Sequence, residues 1–191
     1  RGWRREDPFD RTGLPWVPPS PNMPTLETAF LYPGLCLVEA TNLSEGRGTT
    51  RPFHLVGAPW VVGRRLVEAL RALELPGAAF RATTFRPEFQ KHAGVVCSGV
   101  EIHVTDREAL EPVALGLHLL HTVHDLFPAD FAWPRVAGTP LTLIAQLRLS
   151  DVAIATVGGL TGASVLGLTV AVVEAGQLAA NHGDALAGGR P

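Results

Sequence analysis

The sequence contains little lysine, little cysteine and no marked excess of charge. Lys91 is the only lysine among 16 basic residues, and 18 acidic residues bring the formal charge of the 191-residue chain to −2. This balance excludes a generic nucleic-acid-binding protein and a polybasic membrane-surface module. Two cysteines exclude a disulfide-rich scaffold and a four-cysteine zinc site. We expect Cys36 and Cys97 to be buried free thiols, with a disulfide as the alternative outside the cytoplasm.

Apolar residues make up 46% of the chain, which is enough to build the core of one domain or slightly more. The chain starts at Arg1, and its only methionine is Met23. We therefore expect a fragment or a processed product. No signal peptide is visible in this sequence.

Composition divides the chain into three segments. Residues 1–34 are rich in proline and aromatic residues, so we expect extended chain with one short helix over Thr25–Leu31. Residues 35–140 have the pattern of an α+β domain, with a compact core over residues 35–127. Residues 141–191 carry only five charged residues and form an atypical, apolar, Gly/Ala-rich tail that we expect to pack poorly.

The first half of the α+β segment predicts two strands and a helix. Short apolar runs predict strands over Leu35–Ala40 and Pro52–Val56. Apolar residues at helical spacing predict a helix over Val61–Glu74, which Pro76-Gly77 ends.

The second half predicts two more strands and a second helix. Strands are expected over Ala79–Phe85 and over Val100–Val104, where apolar residues alternate with Glu101 and His103. A Thr105-x-x-Glu108 capping box precedes a helical pattern from Pro112 to Phe127. We therefore expect an α+β fold in which helices pack on a mixed β-sheet.

The tail contains a run of 22 uncharged residues, Val152–Val173, which is long enough to cross a bilayer. Threonine and serine make the run more polar than a typical membrane helix, and no aromatic or basic belt flanks it. We expect a soluble or poorly ordered tail, with a membrane-tethering helix as the alternative.

Two polar loops are candidates for ligand binding. Residues 41–53 are dense in hydroxyls, glycines and arginines, which suit an oxygen-rich ligand but also suit an ordinary surface loop with solvated ion pairs. Ser20 and Asn22 lie between prolines that restrict the backbone. We expect the stretches Thr41–Arg51 and Ser20–Met23 to share one exposed edge, and His92 to lie in a polar turn that reaches the same cleft.

No metal or cofactor site is expected. His118, His121 and His124 recur every three residues, but the outer two diverge by about 120° around a helix, and no carboxylate or cysteine completes a ligand set. The sequence also contains no Gly-x-Ser-x-Gly or His-Glu-x-x-His motif.

Several strings resemble the second half of NamZ-type exo-β-N-acetylmuramidases. They are Gly2-Trp3-Arg4-Arg5, residues 12–25, Tyr32-Pro33-Gly34, residues 41–53, Gly57-Ala58-Pro59-Trp60, Lys91-His92-Ala93-Gly94 and residues 99–107. The resemblance runs from about residue 1 to Thr139. The apolar sequence from Pro140 onward departs from the charged, helical end of the family, and we interpret it as a frameshifted or recombined end.

The resemblance implies a function and an arrangement of domains. It implies bacterial enzymes of cell-wall recycling that remove N-acetylmuramic acid from the non-reducing ends of peptidoglycan fragments, and a periplasmic or secreted location. In this family an active cleft lies between a Rossmann-like N-terminal domain and an α+β auxiliary domain, and residues 1–34 come from the interdomain region. The proposed catalytic Glu belongs to a Gly-Pro-Glu-His-Gly-like motif of the N-terminal domain, which is absent here.

The chain is therefore expected to be inactive alone, to need no cofactor, and to form the auxiliary wall of the cleft. Its expected partners are a peptidoglycan-derived sugar and the missing N-terminal domain, with no nucleic acid and no membrane. The expected substrate-binding residues are Ser20, Asn22, Asn42, Glu45, Arg47, Thr49, Thr50, Arg51 and His92. A stand-alone carbohydrate- or anion-binding module and a membrane-tethered domain remain the alternatives. Glu39 and Glu45 are a possible carboxylate pair, whose separation the sequence does not reveal.

Overall fold

The computed structural model describes Gly2, Arg4 and residues 7–133. Two short 3-10 helices (η), three α-helices and three strands make up this part of the chain. Their order is η1 (Phe9–Thr12), α1 (Leu26–Leu35), η2 (Cys36–Ala40), β1 (Leu55–Ala58), α2 (Gly63–Ala72), β2 (Ala78–Phe85), β3 (Cys97–Val104) and α3 (Pro112–Leu126). The tail, residues 141–191, for which we predicted poor packing, lies outside the described residues, as does its uncharged run Val152–Val173.

The strands form one sheet in the order β1-β3-β2, with β3 antiparallel to both neighbours. The register places Glu101 of β3 opposite Leu55 on one side and opposite Arg81 on the other. Helix α2 packs on β2 and β3 and contacts α3, and α3 packs on α1. The α+β class is confirmed, and the sheet, expected to be mixed, is antiparallel within residues 7–133.

The hydrophobic core lies between the helices and the sheet. Its cluster begins at Leu31 and ends at Phe131, so it extends beyond residues 35–127 at both ends. Phe53, Leu66, Ile102 and Leu119 are among its fully buried side chains, and they come from the loop before β1, from α2, from β3 and from α3.

Helix α1 begins where the Thr25 hydroxyl accepts a hydrogen bond from the Thr28 N–H at 3.1 Å. The helix predicted over Thr25–Leu31 is confirmed, and it runs on into η2. The strand predicted over Leu35–Ala40 is therefore wrong. A short apolar run fits a buried helical turn as well as a strand, and this one packs against α1 and α3.

The helix at Val61–Glu74 and the strands at Ala79–Phe85 and Val100–Val104 are confirmed, with ends that differ by a few residues. The strand expected over Pro52–Val56 begins only at Leu55. Its first residues form a turn, in which the N–H groups of His54 and Leu55 both donate to the Arg51 carbonyl.

The second predicted helix is confirmed as α3, but it does not begin at the Thr105-x-x-Glu108 box. There the Asp106 carboxylate accepts from the N–H groups of Glu108 at 2.9 Å and Ala109 at 3.3 Å, which closes a separate turn. Helix α3 starts at Pro112, since proline suits the first helical position, where no N–H is needed.

Both cysteines are free, as predicted, although Cys36 is only half-buried. His118, His121 and His124 lie along α3, and residues 7–133 contain no group of three or more metal-ligating side chains arranged to hold an ion. No helix in the described part of the chain is both long and apolar enough to cross a membrane.

Helices α1 and α3 cross at two glycines. A Cβ atom at Gly116 would clash with the backbone carbonyl of Gly34, and one at Gly34 would clash with the carbonyl of Pro112. The two backbones therefore touch, and only glycine fits on either side of the crossing.

This contact predicts the effect of Gly116→Ala. In an unobstructed helix interior, alanine is more favourable than glycine by about 1 kcal/mol. Here we expect a loss of about 2–3 kcal/mol in the free energy of unfolding, because the helices must separate. Urea denaturation measures the change, and a stabilised variant would contradict the close crossing.

Candidate functional site

The loop of residues 41–54, called the polar loop below, connects η2 to β1. We expected an exposed loop, but Thr41, Ser44 and Glu45 are each no more than 2% exposed. The loop packs under the β2–β3 connection, where the Glu88 N–H donates to the Gly48 carbonyl at 2.9 Å. Much of the polar loop is therefore part of the interior.

Two threonine hydroxyls of the polar loop are used in its own turns. Thr41 Oγ1 donates to the Val38 carbonyl at 2.8 Å and accepts from the Leu43 N–H at 3.1 Å. Thr49 Oγ1 donates to the Gly46 carbonyl at 2.6 Å and accepts from the Arg51 N–H at 3.1 Å. Thr49 is one of the predicted substrate-binding residues, and in this structure its hydroxyl shapes the loop.

Asn42 connects the polar loop to the segment after α3. Its Nδ2 donates to the Asp130 carbonyl at 2.8 Å, and its Oδ1 accepts from the Ala132 N–H at 3.0 Å. His92 Nε2 lies 2.7 Å from the Asn42 carbonyl and donates to it. The structure thus brings these two predicted residues together, in contacts within the protein.

A partly buried ionic network, called the Glu45 cluster, contains Glu39, Glu45, Arg47 and Lys91, of which only Glu45 is fully buried. Arg47 Nε lies 3.2 Å from Glu45, its Nη2 donates to Glu39 at 2.7 Å, and its guanidinium stacks over the Phe53 ring. Burial opposes the charged form, but the hydrogen bond that Arg47 donates to Glu39 and the nearby carboxylates raise the pKa of Arg47. Glu39 and Glu45 are therefore held by cations.

Lys91, which sequence reasoning did not select as a site residue, completes this cluster. Its Nζ lies 2.8 Å from Glu45 Oε2 and donates to the carbonyls of Val38, Glu39 and Thr41 at 3.0–3.3 Å. A tetrahedral ammonium suits acceptors spread in this way, and a planar guanidinium does not. A single lysine in an arginine-rich sequence was the available signal.

We expect Lys91→Met to lower the free energy of unfolding by about 2–3 kcal/mol, because it removes one partner of a buried ion pair and a donor to three carbonyls. Lys91→Arg should not restore stability. Denaturant unfolding measures both variants. Arg86→Gln is the control, since exposed Arg86 pairs with Glu88 at the surface and should change stability by less than about 0.5 kcal/mol. A wild-type midpoint for Lys91→Arg would contradict this role.

An open cavity of about 200 Å³ lies where the start of α1 meets the end of the polar loop. Its lining residues are Pro24, Thr25, Glu27, Thr28, Thr50, Arg51 and His54. Two predicted residues, Thr50 and Arg51, thus lie beside Pro24. Ser20 and Asn22 do not line the cavity; they form the preceding turn, in which the Asn22 N–H donates to Ser20 Oγ at 3.1 Å.

Glu101, which lies opposite Arg81 in the sheet, forms an ion pair with Arg51 and holds it in place. Its Oε1 lies 3.2 Å from Arg51 Nε, and Arg81 donates to its Oε2 through both Nε and Nη2. Burial would raise the pKa of Glu101, but the Arg81 hydrogen bond and the charges of His103, Arg81 and Arg51 hold it below its usual value. The alternating pattern of β3 predicted that Glu101 lies on the polar face of the strand. Glu101 is nevertheless only 4% exposed, because the arginines cover its side chain.

His54 is a buried imidazole in the cavity wall, also not selected from the sequence. Arg51 Nη2 lies 3.1 Å from its Nδ1. The same nitrogen lies 3.2 Å from the Ile102 carbonyl and 3.9 Å from Glu27 Oε1, so a donor and two acceptors surround Nδ1. Burial is the main cause that lowers the pKa of His54, and the Arg51 charge acts in the same direction, whereas the Ile102 hydrogen bond and the carboxylates of Glu27 and Glu101 oppose them.

A larger cleft of about 540 Å³ lies between η1 and α1. Ion pairs of Asp10 with Arg107, at 2.8 Å, and of Arg11 with Glu108, at 3.6 Å, border it. None of the predicted site residues lines this cleft.

The lowered pKa values of His54 and Glu101 predict that the fold becomes less stable as the pH falls. The pKa of folded His54 lies below the usual 6.5, so the unfolded chain takes up this proton first as the pH falls below that value. The contribution of Glu101 is complete above its usual 4.5 and is lost as the pH falls through its lower folded pKa. Urea midpoints should therefore fall steadily from about pH 6.5 to about pH 4, and less steeply below about pH 5 in Glu101→Gln. A constant midpoint would contradict this prediction.

Comparisons with known proteins agree with this geometry. The family model "Exo-beta-N-acetylmuramidase NamZ, C-terminal" matches residues 30–159, so the match extends beyond Thr139, where we expected the resemblance to end. The chain is 54% identical over 129 residues to peptidoglycan beta-N-acetylmuramidase NamZ of Bacillus subtilis (strain 168). That alignment covers 68% of this chain but only 31% of the relative.

Two crystal structures of DUF1343 family proteins from Bacteroides fragilis share the fold. One has a TM-score of 0.63 and 31% identity, over 67% of this chain and 34% of its own. The other has a TM-score of 0.52 and 25% identity, over 85% and 41% of the two chains. Since the family model matches more than half of the sequence, the chain belongs to the family of NamZ C-terminal domains.

Proposed function

We propose that this chain is part of a peptidoglycan-degrading exo-β-N-acetylmuramidase and forms the auxiliary wall of its substrate cleft. The observation that carries the proposal is the 54% identity to a peptidoglycan β-N-acetylmuramidase, of which the chain spans about a third. The proposed partners are a peptidoglycan-derived sugar and a Rossmann-like N-terminal domain, and the proposed location is periplasmic or secreted.

The polar residues divide into two proposed roles. Thr50 is exposed, and Arg51 is 42% exposed at the edge of the cavity, so these two side chains are proposed to contact substrate. Asn42, Glu45, Arg47, Thr49 and His92 are proposed to position the polar loop. Ser20 and Asn22 are proposed to border the same cleft from the turn before Pro24.

The carboxylates of this chain support a role without acid catalysis. Glycoside hydrolysis needs a protonated carboxylic acid that donates its proton to the oxygen of the leaving group. Glu45 lies between Arg47 and Lys91, and Glu101 lies between Arg51 and Arg81. The Arg81 hydrogen bond holds the pKa of Glu101 below its usual value, which favours the carboxylate that cannot donate a proton, and Glu45 is engaged by its two cations.

We therefore expect the chain alone to release no chromophore from para-nitrophenyl N-acetyl-β-muraminide. The assay compares the chain with a buffer blank and with Glu45→Gln. Turnover well above the blank that disappears in Glu45→Gln would contradict the proposal and place the acid in this chain. Turnover that persists in Glu45→Gln would contradict it equally and point to another acid.

A further inference from the structure

The buried imidazole of His54 lies between two groups with opposite hydrogen-bonding needs. Arg51 Nη2 lies 3.1 Å from Nδ1 of the ring, and the Ile102 carbonyl oxygen lies 3.2 Å from the same nitrogen. A guanidinium can only donate a hydrogen bond, and a carbonyl can only accept one. Nδ1 therefore satisfies Arg51 when it carries no proton and Ile102 when it carries one, and it cannot satisfy both at once.

The backbone leaves the Ile102 carbonyl to the His54 ring. The two residues face each other beside the start of β1, where the Ile102 N–H donates to the His54 carbonyl at 2.8 Å. In a regular antiparallel pair the His54 N–H would donate back to the Ile102 carbonyl. Here it donates to the Arg51 carbonyl at 3.2 Å instead. A protonated Nδ1 would therefore supply the hydrogen bond that the backbone does not make.

Two contacts hold Arg51 at the edge of the cavity. Its Nε lies 3.2 Å from Glu101 Oε1, and its Nη2 faces His54 Nδ1. The Arg51 side chain is 42% exposed and lines the open cavity, so it has space in which to move. When the His54 contact is lost, Glu101 still pairs with Nε, but the outer nitrogens of the guanidinium can rotate away from the ring.

Charged groups of α1, the polar loop, β2 and β3 surround the imidazole. The Glu27 carboxylate of α1 lies 3.9 Å from Nδ1, and Arg51 brings the opposing positive charge. Glu101 of β3 also favours the charged ring. Arg81 of β2 and His103 of β3 both lie at Oε2 of Glu101 and offset part of its charge. A protonated ring is therefore drawn to Glu27 and repels Arg51.

The environment of His54 keeps its ring uncharged near neutral pH. Burial is the main cause that lowers the pKa of His54 below the usual 6.5, and the Arg51 charge adds to it, against the Ile102 hydrogen bond and the two carboxylates. In the uncharged ring, one nitrogen carries a proton and the other accepts. A hydrogen bond from a charged donor is the stronger one, so the Arg51 contact favours the ring whose Nδ1 is bare.

We propose that His54 Nδ1 is a proton-controlled switch for Arg51. Near neutral pH the bare nitrogen accepts from Arg51 and fixes the guanidinium at the cavity edge. In acid, a proton taken up from solvent by Nδ1 is donated to the Ile102 carbonyl, the ring pairs with Glu27, and Arg51 turns toward the cavity while Glu101 holds its Nε. This inference goes beyond the proposed function, because it concerns how Arg51 is held, whatever ligand the cavity takes.

The test is a titration of the ¹⁵N-labelled full chain by NMR from about pH 7 to about pH 5, where histidine titrates. Long-range ¹H–¹⁵N spectra report which nitrogen of the His54 ring is protonated, and the Nε–Hε signal of Arg51 reports its surroundings. We expect a bare Nδ1 at about pH 7 and an Arg51 signal that shifts with the same midpoint as the ring. The signal of Arg86, which pairs with Glu88 at the surface, is the control and should not follow this midpoint.

Two variants sharpen the test. Glu27→Gln removes the carboxylate beside the ring, so the midpoints of His54 and Arg51 should move together to a lower pH. His54→Gln replaces the ring by an amide that does not titrate, so the Arg51 transition should disappear. Urea unfolding checks that both variants fold. Glu27 is half-exposed, so Glu27→Gln still tests the switch if the buried His54→Gln variant does not fold.

A proton on Nδ1 at about pH 7 would overturn the proposal. So would an Arg51 signal that stays constant while the ring titrates, or an Arg51 transition that persists in His54→Gln. A ring that does not titrate before the chain unfolds would overturn it as well, since the switch would then have no range in which to act. The titration uses no substrate, so its failure leaves the proposed glycosidase role standing, and hydrolysis by the chain alone would refute that role without affecting the titration.

Discussion

The half-buried ammonium of Lys91 holds the polar loop against the β2–β3 connection. It joins this connection to η2 through the carbonyls of Val38 and Glu39, and to the polar loop through Glu45 and the Thr41 carbonyl. The Val38 carbonyl also accepts from the N–H and the hydroxyl of Thr41, and Glu45 also pairs with Arg47, so Lys91 adds a charged donor to a shared network. Thr50 and Arg51, which line the cavity, belong to the same polar loop that Lys91 contacts through Glu45.

Charge is used in two ways in this domain. Glu45 and Glu101 lie buried between cations and stabilise the scaffold, whereas Glu27, Thr50 and Arg51 reach the open cavity. Such a division fits a domain that holds a substrate and leaves proton transfer to another part of the enzyme. It also explains why a loop rich in arginine and hydroxyls is mostly interior: its polar groups bond to one another.

Periodicity predicted the elements with long, regular patterns, namely α2, α3, β2 and β3. It did not distinguish a helical turn from a strand over Leu35–Ala40, because a short apolar run fits both. Periodicity also did not predict the burial of Glu101. An alternating pattern predicts that the polar residues of a strand are exposed, whereas here arginines from elsewhere in the chain cover the carboxylate. The sequence predicted only that the two polar loops share one edge, and not that Thr50 lies beside Pro24. The roles of His54 and Lys91 depend on contacts between distant residues that no local pattern encodes.

The central claim is that the chain supplies substrate binding to an enzyme whose acid lies in another domain. The most direct test mixes the chain with the separately expressed N-terminal region of the Bacillus subtilis relative and measures release of N-acetylmuramic acid from a peptidoglycan disaccharide. The account predicts activity only in the mixture, with a KM that rises in Arg51→Gln while kcat changes little. Full activity of the N-terminal region alone, unaffected by adding this chain, would contradict the account.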